Sequence, residues 1–155
     1  MRIVLGVFGL LLGIALSGAV SAQQPTTADI IKSRQDQMKV LGADFRIISD
    51  ALKADSPDTA AIAAASQRIA DVIKGTNAYY PPGTGPESGL KTRAMAEVWS
   101  QNADFNRAGD FSIAEAARFR QAAGNGDATT IRAGFKALTD SCVACHVKFR
   151  AEEKK

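Results

Sequence analysis

The residues able to do chemistry in this chain concentrate in five positions, Cys142-Val143-Ala144-Cys145-His146, which hold both cysteines and the single histidine of the sequence. Two thiols separated by two residues, with an imidazole directly after the second, form the attachment pattern for a c-type haem. The thiols add across the two vinyl groups of the haem as thioethers. The imidazole that follows is held under the iron, where its neutral form binds as an axial ligand. The expected cofactor is one haem c per chain, held by Cys142 and Cys145 with His146 on the iron.

Three other chemistries use similar residues and fit less well. A dithiol oxidoreductase places Cys-x-x-Cys at the start of a helix after a strand, where the helix dipole lowers the first thiol pKa. Here the pair lies deep in the last helical segment, and no alternating strand pattern occurs anywhere. A structural zinc ion takes four ligands, and the chain offers two cysteines and one histidine. A haem peroxidase needs acid–base residues on the open face of the iron, typically a second histidine, and none remains. The chain is therefore expected not to be an enzyme.

The elements that must position the motif begin after residue 22. Arg2, the apolar run from Ile3 to Leu16 and the small residues of Val20-Ser21-Ala22 read as a secretory signal peptide, residues 1–22. The apolar run is shorter than the roughly 20 residues that span a bilayer. Cleavage there leaves one domain, residues 23–155, and removes only Arg2 from a formal charge of +3. The expected location is the periplasm, with no membrane insertion after cleavage. A charge this mild, without a basic stripe or aromatic ladder, gives no support to nucleic-acid binding. In an exported chain two cysteines often form a disulfide, but a Cys142–Cys145 bridge closes too small a loop to constrain much of the unfolded chain.

Glycine and proline divide the remainder into four segments: Thr26–Ala54, Pro57 to about Lys74, about Thr92 to Ala123, and a last one capped by Asp127 and running to about Glu152. A loop rich in Pro and Gly, Thr76 to about Leu90, separates the second and third. In the first segment Ile31, Met38, Leu41, Phe45, Ile48 and Leu52 recur at helical spacing. In the last, Ile131, Phe135, Leu138, Cys142, Cys145 and Phe149 do the same. Four helices with mostly short connections predict an all-α, antiparallel up-down-up-down four-helix bundle. The cysteines share the core stripe of the last helix, so the covalently attached haem is expected inside the bundle. The long loop falls at the same end, with Tyr79, Tyr80 and Trp99 as apolar walls.

The other face of the iron is approached by elimination. With no second histidine, the candidates are Met38, Met95 or an open site. Met38 lies about 13 Å into the first helix and His146 about 9 Å from the end of the last, so the two levels match and Met38 is the favoured ligand. Arg34, one turn before Met38, can reach a haem propionate with its planar fork. Arg150, one turn after His146, is expected beside the imidazole or a propionate.

Together these residues resemble the class II cytochromes c, the cytochrome c′ family, over nearly the whole mature chain. The resemblance rests on Arg34-Gln35-x-x-Met38, Pro82-Gly83-Thr84-Gly85, Glu97-Val98-Trp99 and Cys142-x-x-Cys145-His146-x-x-Phe149-Arg150. It implies a periplasmic four-helix bundle with covalent haem, in one of two branches. High-spin members have a non-ligand, typically Leu, four residues after the first-helix arginine, and bind nitric oxide or carbon monoxide at an open face. Low-spin, c-556-like members have a ligating Met there. Met38 followed by Lys39-Val40-Leu41-Gly42 resembles the low-spin branch. The expected function is thus single-electron transfer by a His146/Met38-ligated iron between redox partner proteins, with gas binding as the alternative. The resemblance also implies that dimers through the first two helices are common; the alanines of the second helix suit that packing and intramolecular packing equally.

Overall fold

The structure is a computed structural model, and it describes residues 24–152. The expected signal segment, residues 1–22, lies outside the described residues. Five α-helices and two short 3₁₀ turns account for the regular structure: α1 Thr27–Ala51, α2 Thr59–Ile73, turns Thr76–Tyr79 and Pro86–Ser88, α3 Glu97–Ser100, α4 Asn102–Asn125 and α5 Ala128–Phe149. The four long helices are the four expected, and among the described residues there is no β-strand.

Each long helix begins where its sequence offers a cap, except α4. Thr26 and Asp29 form a reciprocal capping box at α1. Asp58 accepts from the Ala61 N–H at α2, and Asp127 accepts from the Thr129 and Thr130 N–H groups at α5. Pro57 stands two residues before α2, outside the helix. The expected third helix starts differently. Residues 92–96 are not helical, α3 is a single turn, and Gln101 breaks away at φ −118°, ψ 42° before α4. The last helix stops at Phe149, three residues short of the expected end, because Arg150 is extended and pairs with Ala94.

The main core joins all four long helices. Ile48 of α1, Ile62 and Ile69 of α2, Phe119 of α4, and Ile131 and Leu138 of α5 are fully buried. Each such side chain contributes roughly 1.5–3 kcal/mol by leaving water. A second cluster of Val98, Phe105 and Phe149 lies at the end of the bundle where α5 finishes, with Tyr80, Ala94, Trp99, Ala108 and Cys145 against it. The backbones of α1 and α2, α2 and α4, and α4 and α5 pack closely. By contrast, α1 and α5 meet through side chains. Phe45 and Phe135 stack at 5.3 Å, and Arg132 donates to the Leu52 carbonyl at the far end from His146.

Candidate haem site

The motif occupies the last two turns of α5. Both cysteines are half-buried, and they border different clusters: Cys142 packs against the main core and Cys145 against the second cluster. Burial pushes both thiols above their ordinary pKa. They are therefore neutral thiols at pH 7, unlike the activated thiolate of a dithiol oxidoreductase. His146 is also half-buried. Its pKa falls to about 4, first through burial and then through the charges of Arg150 and Arg93. A neutral imidazole is the form that binds a metal.

This end of α5 is held firmly. The Arg150 N–H donates to the His146 carbonyl at 3.0 Å. The Met95 N–H donates to the Phe149 carbonyl at 3.0 Å and the Ala151 N–H to the Arg93 carbonyl at 2.8 Å. Arg93 Nε donates to the Ala151 carbonyl at 2.9 Å, and Lys148 Nζ to Asp104 Oδ2 at 2.6 Å. Met95, the second methionine candidate, thus belongs to the short extended pairing beside Arg150. Arg150 itself is exposed, and its charge acts on His146.

The loop after α2 lies at this end, as the topology requires. Tyr80 packs edge-on against Phe105 at 4.8 Å and against Trp99 at 6.3 Å, and Phe105 packs on Phe149 at 5.3 Å. The Trp99 indole N–H donates to the carbonyls of Tyr80 and Pro81, both at 3.1 Å. Tyr80, Trp99 and Cys145 all pack against the second cluster. Tyr79 is half-buried at the end of the first 3₁₀ turn and does not belong to that cluster.

Arg34 is only 3% exposed. It donates to Thr84 Oγ1 at 3.0 Å, to the Thr84 carbonyl at 2.6 Å and to Thr92 Oγ1 at 2.7 Å. Its guanidinium also lies 4.9 Å from the Tyr80 ring centre and 5.9 Å from that of Trp99. No carboxylate of the described residues is within ion-pair distance of it. Burial opposes its charge, and Tyr80 and then Glu87 compensate only in part. A buried cation without a bonded counter-charge costs several kcal/mol. The role of Thr84 and Thr92 was not visible in the sequence. Thr84 stood in a motif, but its partner lies 50 residues away.

These features test whether a haem fits. Two neutral thiols and a neutral imidazole share one end of α5, at the junction of two apolar clusters. A buried guanidinium that lacks a carboxylate stands in the neighbouring wall. That set suits an apolar macrocycle with a metal centre and an anionic edge. Fold and donors together define a helical-bundle protein of the covalent-haem class.

The comparisons specify the family. The family model described as Cytochrome C' matches residues 29–150. A cytochrome c′ of Pararhodospirillum photometricum is 30% identical over 120 residues, covering 77% of this chain and 94% of that protein. One from Rhodospirillum rubrum is 29% identical over 138 residues, covering 89% and 92%. Among solved structures, a cytochrome c′ with ligand-controlled dimer dissociation is 25% identical with a TM-score of 0.78, covering 84% of this chain and all of that one. A nitric oxide complex of a cytochrome c′ variant from Alcaligenes xylosoxidans is 26% identical with a TM-score of 0.74, again over 84% of this chain and all of that one. The chain belongs to the cytochrome c′ family, and it carries that family's single covalently bound haem c.

One expectation is corrected here. The relatives are named cytochrome c′, and solved members are nitric oxide complexes. They overturn the low-spin, c-556-like assignment and, with it, the electron carrier with His146/Met38-ligated iron. In the structure Met38 is half-buried and packs against the main core, which Leu41, Phe45 and Cys142 also line. That is the ordinary work of a flexible thioether filling an irregular gap.

Proposed function

We propose that the protein is an exported, high-spin cytochrome c′ that binds nitric oxide or carbon monoxide at an open axial position, and that it binds rather than transforms these ligands. The observation that carries this reading is the match over residues 29–150 to a family with solved nitric oxide complexes. When bound, the haem supplies an iron with a coordination position free for a diatomic molecule. Cys142 and Cys145 would hold it as thioethers, His146 would bind the iron, and Arg34 would face a propionate.

The chain's own residues set the selectivity. His146 is neutral, so it binds metal without first losing a proton. The α1 stripe opposite α5 offers Met38, Leu41 and Phe45, side chains with no hydrogen-bond donor. Such a wall favours small uncharged ligands and excludes water. The apolar start of the sequence supports export to the periplasm, and no helix among the described residues is long and apolar enough to cross a membrane. A homodimer through α1 and α2 is consistent with Val40 and Ile47, both exposed on α1. A protein reductant is the remaining partner, since carbon monoxide binds reduced iron.

Absorption and paramagnetic resonance spectra of the holoprotein test the reading. The expected result is a high-spin ferric and ferrous protein that binds carbon monoxide readily, with a spin state unchanged in Met38→Leu. A low-spin ferrous spectrum that resists carbon monoxide would overturn it.

A further inference from the structure

The segment Thr84–Ser88 is a compact turn flanked by two glycines. Pro86–Ser88 forms a 3₁₀ turn, and Ser88 Oγ donates to the Gly85 carbonyl at 2.6 Å. Gly83 and Gly89 flank it at φ 82° and 70°, a conformation that glycine adopts at no steric cost. Pro82, Gly83, Pro86, Glu87, Gly89 and Leu90 are exposed, and the segment is buried only at Thr84 and Gly85.

Its hold on the bundle is correspondingly narrow. Thr84 is tied to Arg34 of α1 through both its hydroxyl and its carbonyl, and Thr92, just past the second glycine, takes the third Arg34 bond. Gln35 adds one bond, from Nε2 to the Lys91 carbonyl at 2.9 Å. Gly85 lies so close to the indole that a Cβ there would fall 2.7 Å from Trp99. Under the segment stand Arg34, Tyr80 and Trp99, with Cys145 beyond Tyr80 in the same cluster. Arg34 lies one turn from Met38 on the same face of α1.

We propose that residues 83–89 form a flap over the haem end of the bundle, hinged at Gly83 and Gly89 and latched by Arg34 through Thr84 and Thr92, and that unlatching admits ligand. The proposal rests on the gas-binding reading for what is admitted. The latch suits reversible opening. Three hydrogen bonds from Arg34, the Gln35–Lys91 bond and the seat of Gly85 against Trp99 hold the closed state. Opening returns a guanidinium and the Thr84 carbonyl to water, where both are well solvated.

The test uses holoprotein carrying Thr84→Val together with Thr92→Val. These changes remove both hydroxyl acceptors and leave Arg34, Tyr80, Trp99 and the haem ligands in place. Amide hydrogen exchange over residues 83–92 reads the latch directly. Stopped-flow association of carbon monoxide with the reduced protein reads the portal. The expected result is exchange at least about tenfold faster across 83–92 and a carbon monoxide association rate raised several-fold, with the helical circular dichroism and exchange in α2 and α4 unchanged. Exchange that does not quicken, or quickens without any change in association rate, would overturn the flap. Arg34→Lys, which keeps the charge and loses the fork, should behave like the double variant; unchanged exchange there would remove Arg34 as the latch. If the unsubstituted protein binds no carbon monoxide, the gas-binding reading fails, and the exchange arm still decides whether the latch exists.

Discussion

Gly109 is where a single methyl group should reach the haem site from a distance. It lies buried within α4, and a Cβ built on it would fall 2.0 Å from Asn77 Oδ1 and 2.9 Å from Asn77 Cγ. Asn77 is a peg in the first 3₁₀ turn. Its Nδ2 donates to Asp110 Oδ1 at 3.0 Å, while its Oδ1 is buried with no partner. Three residues later the chain delivers Tyr80 onto Phe105. In Gly109→Ala the peg must rotate out and give up its bond to Asp110. Alanine gains about 1 kcal/mol over glycine in a helix interior. Overpacking costs about 1–3 kcal/mol, and the lost hydrogen bond about 1 kcal/mol more. The net expectation is destabilisation by about 1–3 kcal/mol. In the background of Asn77→Ala the peg is gone, so the same substitution should stabilise by about 1 kcal/mol. Gly42 of α1, where a Cβ meets nothing within 4 Å, supplies the reference: Gly42→Ala should also stabilise by about 1 kcal/mol. Urea unfolding of the holoprotein followed at 222 nm measures all four variants. Destabilisation of the same size with and without Asn77 would refute the peg, because the sign change is what the geometry requires.

Two further outcomes follow from the ends of α5. Asp127 caps the helix through bonds from the Thr129 and Thr130 N–H groups and the Thr130 hydroxyl, and these hold its carboxyl below the ordinary value of 3.8. A depressed folded pKa gives stability that is full above 3.8 and is lost as pH falls through the folded value. The advantage of the protein over Asp127→Asn in urea midpoint should therefore be present at pH 7 and shrink steadily below pH 3.8; a constant gap across that range would contradict the cap's ionic character. At the other end, Cys145→Ala should leave haem held by one thioether or not at all, read by mass and by the pyridine haemochrome spectrum. Full double attachment in that variant would contradict the motif.

The parts of the fold that could be read from the sequence are those specified locally. The α1 and α5 stripes set their own helical phase, and Asp127 announces the start of α5 from the residue just before it. The covalent haem is legible because its attachment chemistry ties residue types to a fixed spacing. What escaped was long-range. Residues 92–96 read as the start of a helix, yet Arg93, Ala94 and Met95 pair with Phe149, Arg150 and Ala151, a partner no local pattern encodes. The break at Gln101 has no glycine or proline to mark it. Thr84 and Thr92 look like ordinary loop threonines until Arg34, 50 and 58 residues away, is seen to depend on them.

Met38 shows a different limit, that of elimination. Listing the side chains able to bind iron leaves a thioether at a plausible depth on the correct helix, and the step from able to bound assumes that iron must be six-coordinate. Nothing in a bundle imposes that. The same position serves packing: Met38, like Phe45, Phe135 and Cys142, packs against the core cluster that includes Leu41. An unbranched side chain there costs little and needs no metal. An open iron requires only that its neighbours be too apolar to bring in water or a competing donor, and a core stripe that runs past the cofactor meets that requirement by default. On the gas-binding reading proposed above, the iron position facing α1 would be decided by what α1 withholds, and absence of a ligand leaves no motif to read.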